Sequence, residues 1–160
     1  INDYNHIDYL LLIYSNLYMP GKLVSKISKR ECFTLNAEDT IKTASAKLHE
    51  NHVGCMPILD EKKNVVGIIS ERDLSQLIHS ERFNTNLTID KIMSKELVTC
   101  DLDASVTELM ELMTNKKIRH ILIMEDKILK GVVSIGDVVN HLINKYKEEN
   151  KSLREFINSY

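Results

Sequence analysis

The sequence predicts an α/β fold in which two tandem β-α-β-β-α repeats pack sheet to sheet with pseudo-two-fold symmetry. The first observation is internal similarity: residues 33–73 align with residues 98–137, at an offset of 65 that becomes 64 after a hairpin turn. The second is a shared apolar pattern, although few residues are identical. A three-stranded sheet that carries its helices on one face leaves the other face apolar, and a second copy covers that face.

Each repeat has the same order of elements: a short strand, an amphipathic helix, a hairpin of two apolar strands around a polar turn, and a closing helix. In the first copy the strand lies near Thr34, the helix over 40–50 and the hairpin strands over 56–59 and 65–69, and the last helix begins at Ser70. In the second copy the corresponding positions are Thr99, 104–114, 121–124, 132–133 after Gly131, and Ser134.

These elements divide the chain into five parts. They are an N-terminal extension (1–22), the first repeat (23–80), a linker (81–88), the second repeat (89–144) and a C-terminal helical tail (145–160). The linker is polar and predicts a loop. The tail mixes charged residues with apolar residues at near-helical spacing, so we expect it to extend the last helix and to pack on a partner or on the side of the module.

The composition argues against several classes of function. A formal net charge of -2, with lysine and arginine spread along the chain, gives no basic patch for nucleic acid. Three cysteines without a close pair argue against a disulfide framework or a zinc knuckle and for a reducing compartment. No apolar run approaches the ~20 residues of a membrane span, and the apolar segment 9–14 lacks the flanks of a signal peptide. We expect a cytoplasmic protein, with an organelle matrix as the alternative.

One seven-residue motif occurs in both repeats, where the hairpin leads into the closing helix. It consists of glycine, two aliphatic residues, serine, two variable residues and aspartate, as GIISERD at 67–73 and GVVSIGD at 131–137. The serine caps a helix whose N-terminus offers free N–H groups and partial positive charge, which suits a phosphate. The aspartate can accept hydrogen bonds from both hydroxyls of a ribose. Ser-x-x-Asp is also a capping box that only starts a helix, and this alternative stays open.

Both segments resemble the signature of CBS (cystathionine β-synthase) repeats, and residues 23–143 are similar to proteins that contain such repeats in pairs. These include the insert of inosine monophosphate dehydrogenase and the γ subunit of AMP-activated kinase, and the chain looks most like small proteins made of a CBS pair alone. The resemblance implies that Asp73 and Asp137 hold ribose and that Ser70 and Ser134 lie near phosphate.

In this family each Ser/Asp motif forms a pocket whose other wall comes largely from the opposite repeat. The resemblance implies that main chain near Thr34 or Thr99, and near Gly54 or Arg119, holds the adenine. We expect the pocket of the second motif to be faced by the small residues Ala44 and Gly54, which leave room for adenine and bring little charge.

The pocket of the first motif is expected to be the more charged one. Arg119 would face it, with Arg72 and His120 nearby, while the bulky Leu109 would narrow its helix wall. Charge-assisted hydrogen bonds to phosphate are the stronger contribution, at about 1.5–3 kcal/mol each. One methylene that fits the pocket poorly costs about 1–3 kcal/mol, so the balance is close. Both pockets are therefore expected to bind, and the charged one should discriminate more strongly between nucleotides and bare adenosine.

The implied ligand is AMP, ADP or ATP, with NAD(H) and S-adenosylmethionine as alternatives because they share the adenosine. No cofactor is required and no catalysis is expected. Gly131 and Gly136 have the spacing of P-loop glycines, but Asp137 follows where lysine should stand. His49 and His52 form an HxxH without a third metal ligand, which is typical of a solvated helix end.

The expected partners are a second copy of the chain and an unidentified protein target. The homodimer would form through the helices in a flat disc, because paired CBS repeats commonly associate in this way. Its apolar residues would be Leu77, Ile78, Leu142 and Ile143. Two other functions remain open: a structural dimerisation or docking module without a ligand, and the detached regulatory domain of a dehydrogenase.

Overall fold

The computed structural model describes residues 22–80 and 84–158, so residues 1–21 of the predicted N-terminal extension and 81–83 of the linker lie outside the described part. The α/β fold with two three-stranded sheets is confirmed. The first half contains α1 (Lys22–Ile27), β1 (Leu35–Asn36), α2 (Ile41–Glu50), β2 (Cys55–Leu59), β3 (Val65–Ser70) and α3 (Glu71–His79). The second half contains a 3₁₀ turn (Ile89–Lys91), β4 (Thr99–Cys100), α4 (Val106–Lys116), β5 (His120–Glu125), β6 (Ile128–Ser134) and α5 (Ile135–Asn158).

The two sheets share one topology. The central strand, β2 or β5, pairs in parallel with the short opening strand and antiparallel with its hairpin partner. Leu35 lies opposite Ile58, and Cys100 lies opposite Ile123. The offset of 65 between the sequence repeats is therefore also the offset between the strand registers.

The second hairpin begins its return strand earlier than the sequence predicts. Asp126 and Lys127 form a two-residue loop between the paired Glu125 and Ile128, and both have left-handed backbone, with φ of 47° and 66°. Two left-handed residues make the turn type that matches the twist of a hairpin. Because the turn is so tight, β6 already starts at Ile128, before the predicted run 132–133 that follows Gly131.

The hydrophobic cores do not follow the sequence boundaries of the repeats. Leu23, Val24 and Ile27 of α1 precede the first sheet, yet they are buried in one cluster with residues of the second repeat. Their partners in that cluster are Cys100, Leu109, Met113, Ile121, Ile123, Val133 and Val138. In the same way Ile89, which follows the linker, is fully buried in the core of the first repeat. Each repeat thus completes the core of the other.

Backbone hydrogen bonds also tie the segment 87–94 to the first repeat. The amide of Ile41 donates to the carbonyl of Leu87, and Ile68 and Ser94 exchange both of their N–H···O bonds. These bonds satisfy main-chain groups that a free linker would leave to water. The part of the predicted polar linker that the structure describes is therefore held along the first repeat rather than looped out from it.

The glycines of the two motifs lie in different surroundings, although they occupy equivalent positions. A Cβ built on Gly67 would overlap Sδ of Met93 and lie 2.9 Å from its Cγ, whereas one built on Gly131 would lie 3.6 Å from the nearest atom, on Ile123. We expect Gly67→Ala to destabilise the fold by about 1–3 kcal/mol through overpacking. Gly131→Ala should stay within about 1 kcal/mol of the parent. Urea unfolding of both variants measures the difference, and equal losses would contradict the assigned contacts.

Candidate nucleotide clefts

Two matching hydrogen-bond arrangements mark the points where β3 leads into α3 and β6 leads into α5. Oδ2 of Asp73 accepts from the backbone N (2.7 Å) and Oγ (2.6 Å) of Ser70. Oδ2 of Asp137 accepts from the backbone N (2.9 Å) and Oγ (2.7 Å) of Ser134. Each serine Oγ also accepts from the backbone N–H of its aspartate. Both motifs are capping boxes, which fix the serine and the aspartate in place as the helix begins.

The two aspartates differ at their second carboxylate oxygen. Oδ1 of Asp137 accepts from Nη1 of Arg30 at 2.6 Å. Among the described residues, no hydrogen bond reaches Oδ1 of Asp73. Partial burial acts to raise the pKa of Asp137, but the hydrogen bonds from Ser134 and the Arg30 guanidinium together outweigh it and hold that pKa below its ordinary value. Asp137 is therefore a carboxylate at neutral pH.

Cleft A is the cavity at Ser134 and Asp137, with a volume of about 400 Å³. The first half of the chain supplies one wall from residues 27 and 30–33 and another from residues 52–55. The second repeat supplies His120, Gly131, Val132, Ser134 and Asp137. The volume lies within the range of small-molecule sites, and apolar and polar groups both line the cavity.

Cleft B is the equivalent cavity at Ser70 and Asp73, with a volume of about 440 Å³. Arg72 lies at this cleft, and Arg119 and His120 reach it from the opposite repeat. The other lining residues include Gly54, Cys55, Ile68, Glu71, Ser94, Glu96, Val98, Ile118 and Leu122. Arg72 also donates a long hydrogen bond of 3.4 Å to the carbonyl of Lys117, which joins the two repeats across the cleft.

The clefts share a wall. Gly54, Cys55, His120 and Ser134 line both cavities, and Cys55 and His120 are equivalent residues, each paired in register with the serine of its own motif. A Cβ built on Gly54 would lie 3.1 Å from Cε1 and Nε2 of His120, so the imidazole packs against that glycine. Burial, with smaller contributions from Cys32 and Asp73, raises the pKa of Cys55 to about 12. Its thiol is therefore uncharged at neutral pH.

The imidazole of His120 should make folding stability depend on pH. Burial and then the charge of Arg119 lower its pKa below the ordinary 6.5, although Glu71 and Asp137 act in the opposite direction. Below pH 6.5 the unfolded chain therefore binds a proton that the folded protein takes up only at lower pH, so stability falls as the pH drops from about 6.5.

Urea unfolding between pH 7.5 and 5 checks this expectation. His120→Gln should reduce the loss of stability at acid pH, whereas His79→Gln, at an exposed position on α3, should leave it unchanged. Some loss should remain in His120→Gln because the pKa of His141 is also lowered by partial burial. Identical pH profiles for the parent and His120→Gln would contradict the assignment.

Two predicted lining residues lie in the cores instead. Ala44 is fully buried in the core of the first repeat and does not reach cleft A, because α2 turns that face toward Met56 and Ile58. Leu109 is fully buried in the core of the second repeat and does not narrow cleft B. Of the two small residues expected at cleft A, only Gly54 lines it.

The opening strands contribute neighbours of the predicted residues. Thr34 is half-buried and Thr99 is exposed, and neither side chain lines clefts A or B. Phe33 lines cleft A and Val98 lines cleft B, each one residue earlier. The prediction concerned main chain near Thr34 and Thr99, and both lining residues are their immediate neighbours in the chain.

Arg30 is a residue of the site that the sequence motif did not reveal. It belongs to the segment between α1 and β1, which crosses to the second repeat together with α1. The expectation that the cleft of the second motif carries little charge is corrected by Arg30 and by Glu31 beside it. One signal was present in the sequence: Lys95 stands 65 residues after Arg30, so both repeats carry a cation at this position.

The described residues contain neither a helix that could span a membrane nor a group of metal ligands. No helix among residues 22–80 and 84–158 is long and apolar enough to cross a bilayer. In the same residues no three His, Cys, Asp or Glu side chains are grouped as metal ligands. The rings of His49 and His52 pack edge to face, with centroids 6.3 Å apart.

The sequence pattern of the CBS domain family matches residues 24–80 and 89–144. The CBS domain-containing protein CBSX3, mitochondrial, of Arabidopsis thaliana is 34% identical over 125 residues. That alignment covers 75% of this chain and 61% of the Arabidopsis protein, so the chain spans less than two thirds of that relative's length.

One solved structure gives the same family, and two others give the same fold. A CBS-domain protein of Agrobacterium tumefaciens is 30% identical with a TM-score of 0.69, and the match covers 73% of this chain and 88% of that one. The CBS domain pair of protein MJ0100, in complex with 5-methylthioadenosine and S-adenosyl-L-methionine, has a TM-score of 0.71 at 24% identity, covering 79% and 99%. CBSX2 in complex with AMP has a TM-score of 0.66 at 18% identity, covering 77% and 97%. The last two likenesses concern the fold.

Proposed function

The chain belongs to the CBS domain family, and on that premise we propose that it is a regulatory module that binds an adenosine-containing ligand in clefts A and B without catalysing a reaction. One observation carries the proposal: a serine and an aspartate, fixed by the same capping box, stand at both of two equivalent cavities of ligand size. A carboxylate held in this way can accept from ribose hydroxyls. The ligands of MJ0100 and CBSX2 support adenosine as the shared group.

The charge of the clefts supports a ligand with few phosphates. In cleft A Arg30 stands against Glu31 and Asp137. In cleft B Arg72 and Arg119 stand against Glu71, Asp73 and Glu96. Neither cleft has an excess of arginine over carboxylate, so little remains to neutralise a triphosphate. We therefore rank AMP and adenosine compounds of low negative charge, such as S-adenosylmethionine, above ATP.

The ligand would act by changing the relative position of the two repeats. Both clefts are lined from both repeats and share the wall of Gly54, Cys55, His120 and Ser134. A ligand that fits one arrangement of the repeats better than another shifts the population toward it, and a partner protein can read that shift. We propose a homodimer and an unidentified protein target as the partners.

The homodimer has exposed apolar residues to use. Of the four residues that the sequence named for this contact, Leu77 and Leu142 pack within the module, while Ile78 and Ile143 are 65% and 46% exposed. Exposed apolar side chains in a helical face are typical of an interaction surface.

For location we propose the cytoplasm or an organelle matrix, which fractionation of cells that express the natural gene distinguishes.

Calorimetry on the purified chain tests the proposed function. AMP, ADP, ATP, NAD, S-adenosylmethionine and adenosine would be titrated in turn, after mass spectrometry of the denatured protein has identified any ligand that copurifies. We expect saturable binding of AMP or S-adenosylmethionine that is tighter than binding of ATP. If none of the six binds, the module is structural. Hydrolysis of ATP that survives the double change Asp73→Ala and Asp137→Ala would contradict the absence of catalysis.

A further inference from the structure

Helix α5 carries an exposed apolar stripe that continues beyond the core of the module. The members of this tail stripe are Val139, Ile143, Tyr146, Leu153 and Ile157, which are between 40% and 69% exposed. On another face of the helix Val138 is buried, and Leu142 packs against the second repeat's core. Beyond residue 144 no described side chain of α5 belongs to a core cluster. The stripe therefore has no apolar cover within the described part of one copy.

The spacing of the tail stripe is that of a coiled coil. With Asn150 included, its positions are 139, 143, 146, 150, 153 and 157, which alternate steps of four and three residues. In heptad notation Ile143, Asn150 and Ile157 are a positions, and the other three are d positions. A single asparagine at an a position is a known determinant of two-stranded pairing in register. In one copy Nδ2 of Asn150 donates to the carbonyl of Tyr146 at 2.9 Å.

The flanking charges select a parallel pair. Glu149 occupies a g position, and Arg154 occupies the next e position, which lies opposite g of a parallel partner helix. Neither side chain forms an ion pair within the described residues of one copy, and five residues apart they lie on different faces of their own helix. In an antiparallel pair, e positions would face each other and bring Lys147 against Arg154. The charges are therefore complementary only to a parallel second copy.

We propose that residues 139–157 of α5 form a parallel two-stranded coiled coil with the same segment of a second copy of this chain. The proposal deepens the homodimer proposed above and does not depend on nucleotide binding. Asn150 pairs with the partner's Asn150 and fixes the register, and Glu149 pairs with the partner's Arg154. The contact places the two modules side by side, with their last helices pointing in the same direction.

Sedimentation equilibrium of the full chain gives the first test. The parent should be a dimer at micromolar concentration, and Leu153→Lys should raise the dimer dissociation constant by about tenfold or more, because it places two like charges in the seam. Glu148→Lys, at an f position on the outer face, is the matched control and should leave the constant unchanged. A monomeric parent would overturn the proposal; residues 1–21 of the same chain would then be the next occupant to test.

Charge exchange tests the pairing. Glu149→Lys and Arg154→Glu should each weaken the dimer by about two- to tenfold, and the double variant should restore it. Ile157→Cys should form an intermolecular disulfide on oxidation, since equivalent a positions meet only in a parallel pair; the parent provides the background of the native cysteines. Failure of the double variant to restore the dimer, or absence of the disulfide, would overturn the parallel arrangement.

Calorimetry with AMP on Leu153→Lys separates this proposal from the proposed ligand site. Unchanged ligand binding together with a weakened dimer supports the coiled coil. A dimer that persists in Leu153→Lys would overturn the coiled coil and assign the contact to another face. The unfolding temperature of every variant is compared with that of the parent at one subunit concentration, above the dimer dissociation constant. Apart from the stabilisation that dimerisation itself provides, these temperatures should agree.

Discussion

Asp73→Ala and Asp137→Ala are each expected to weaken ligand binding in their own cleft by at least about tenfold. Hydrogen bonds that involve a charged group contribute about 1.5–3 kcal/mol, and a tenfold change in Kd corresponds to about 1.4 kcal/mol. Each change removes the carboxylate that we assign to the ribose. Calorimetry with AMP should show one weakened class of site in each single variant and both classes weakened in the double variant.

Alanine also removes a helix cap, so the binding result needs a matched control. The chain offers one in a third capping box, where Oε2 of Glu108 accepts from the backbone N of Ser105 at 2.7 Å and Ser105 Oγ accepts from the backbone N of Glu108 at 3.2 Å. This box begins α4 and does not line cleft A or B. Glu108→Ala should cost about 1 kcal/mol of stability, as loss of a cap commonly does, and leave ligand binding unchanged.

Asparagine separates the two roles of the aspartate itself. In Asp137→Asn the amide oxygen can still accept from Ser134, while an NH₂ group replaces the oxygen that faces the cleft and Arg30. We expect stability close to that of the parent and binding in cleft A weakened almost as much as by alanine. If Asp137→Asn and Asp73→Asn bind like the parent, the motif is only a helix cap.

The features that the sequence predicted correctly are local or repeated. The order of strands and helices follows from apolar periodicity within short windows, and the offset of 65 also fixed the equivalent registers of the two sheets. The capping of α3 and α5 followed from the chemistry of serine and aspartate three residues apart. The closeness of Arg119 and His120 to the first motif followed from the resemblance to paired repeats.

The features that the sequence did not predict depend on contacts between distant segments. Nothing in α1 itself indicates that Val24 packs with the second repeat, because an amphipathic helix can cover either core equally well. The same crossing carries Arg30 to Asp137, 107 residues later. The sequence prediction placed Ala44 and Leu109 at a cleft, but both are fully buried in the cores. The apolar pattern of a short helix does not distinguish residues that face the core from residues at the edge of the apolar face that could line a cleft.

Cutting the chain in the linker should leave two fragments that do not fold separately. The fragment 1–83 lacks Ile89, which is fully buried in the core of the first repeat. The fragment 84–160 lacks α1, whose Leu23, Val24 and Ile27 are buried in the core of the second repeat. Each half also loses the backbone hydrogen bonds that join segment 87–94 to the first repeat. Far-ultraviolet circular dichroism should show little fixed structure in either fragment alone.

Mixing the two fragments should restore the fold, because each fragment carries a segment that completes the core of the other. Fragment 1–83 supplies α1, and fragment 84–160 supplies Ile89. Val24→Asp in the fragment 1–83 should prevent this, since a charge would enter an apolar core at a cost of about 4 kcal/mol or more. Val24 has no exposed surface and belongs to the cluster of the second repeat, so the change acts on the association of the fragments. Ser25→Asp, at the exposed neighbouring position of the same helix, is the control and should leave association intact.

The fragments also test whether each repeat can fold without the segment that the other fragment contributes to its core. If 84–160 alone gave a cooperative urea transition, the core of the second repeat would not need α1, and the burial of Leu23, Val24 and Ile27 would contribute little to stability. Their burial removes three aliphatic side chains from water. At about 1.5–3 kcal/mol for each side chain, the three together contribute a free energy comparable to the whole stability of a small domain. We therefore expect a single cooperative transition for the intact chain and none for either fragment, with recovery of that transition only in the equimolar mixture.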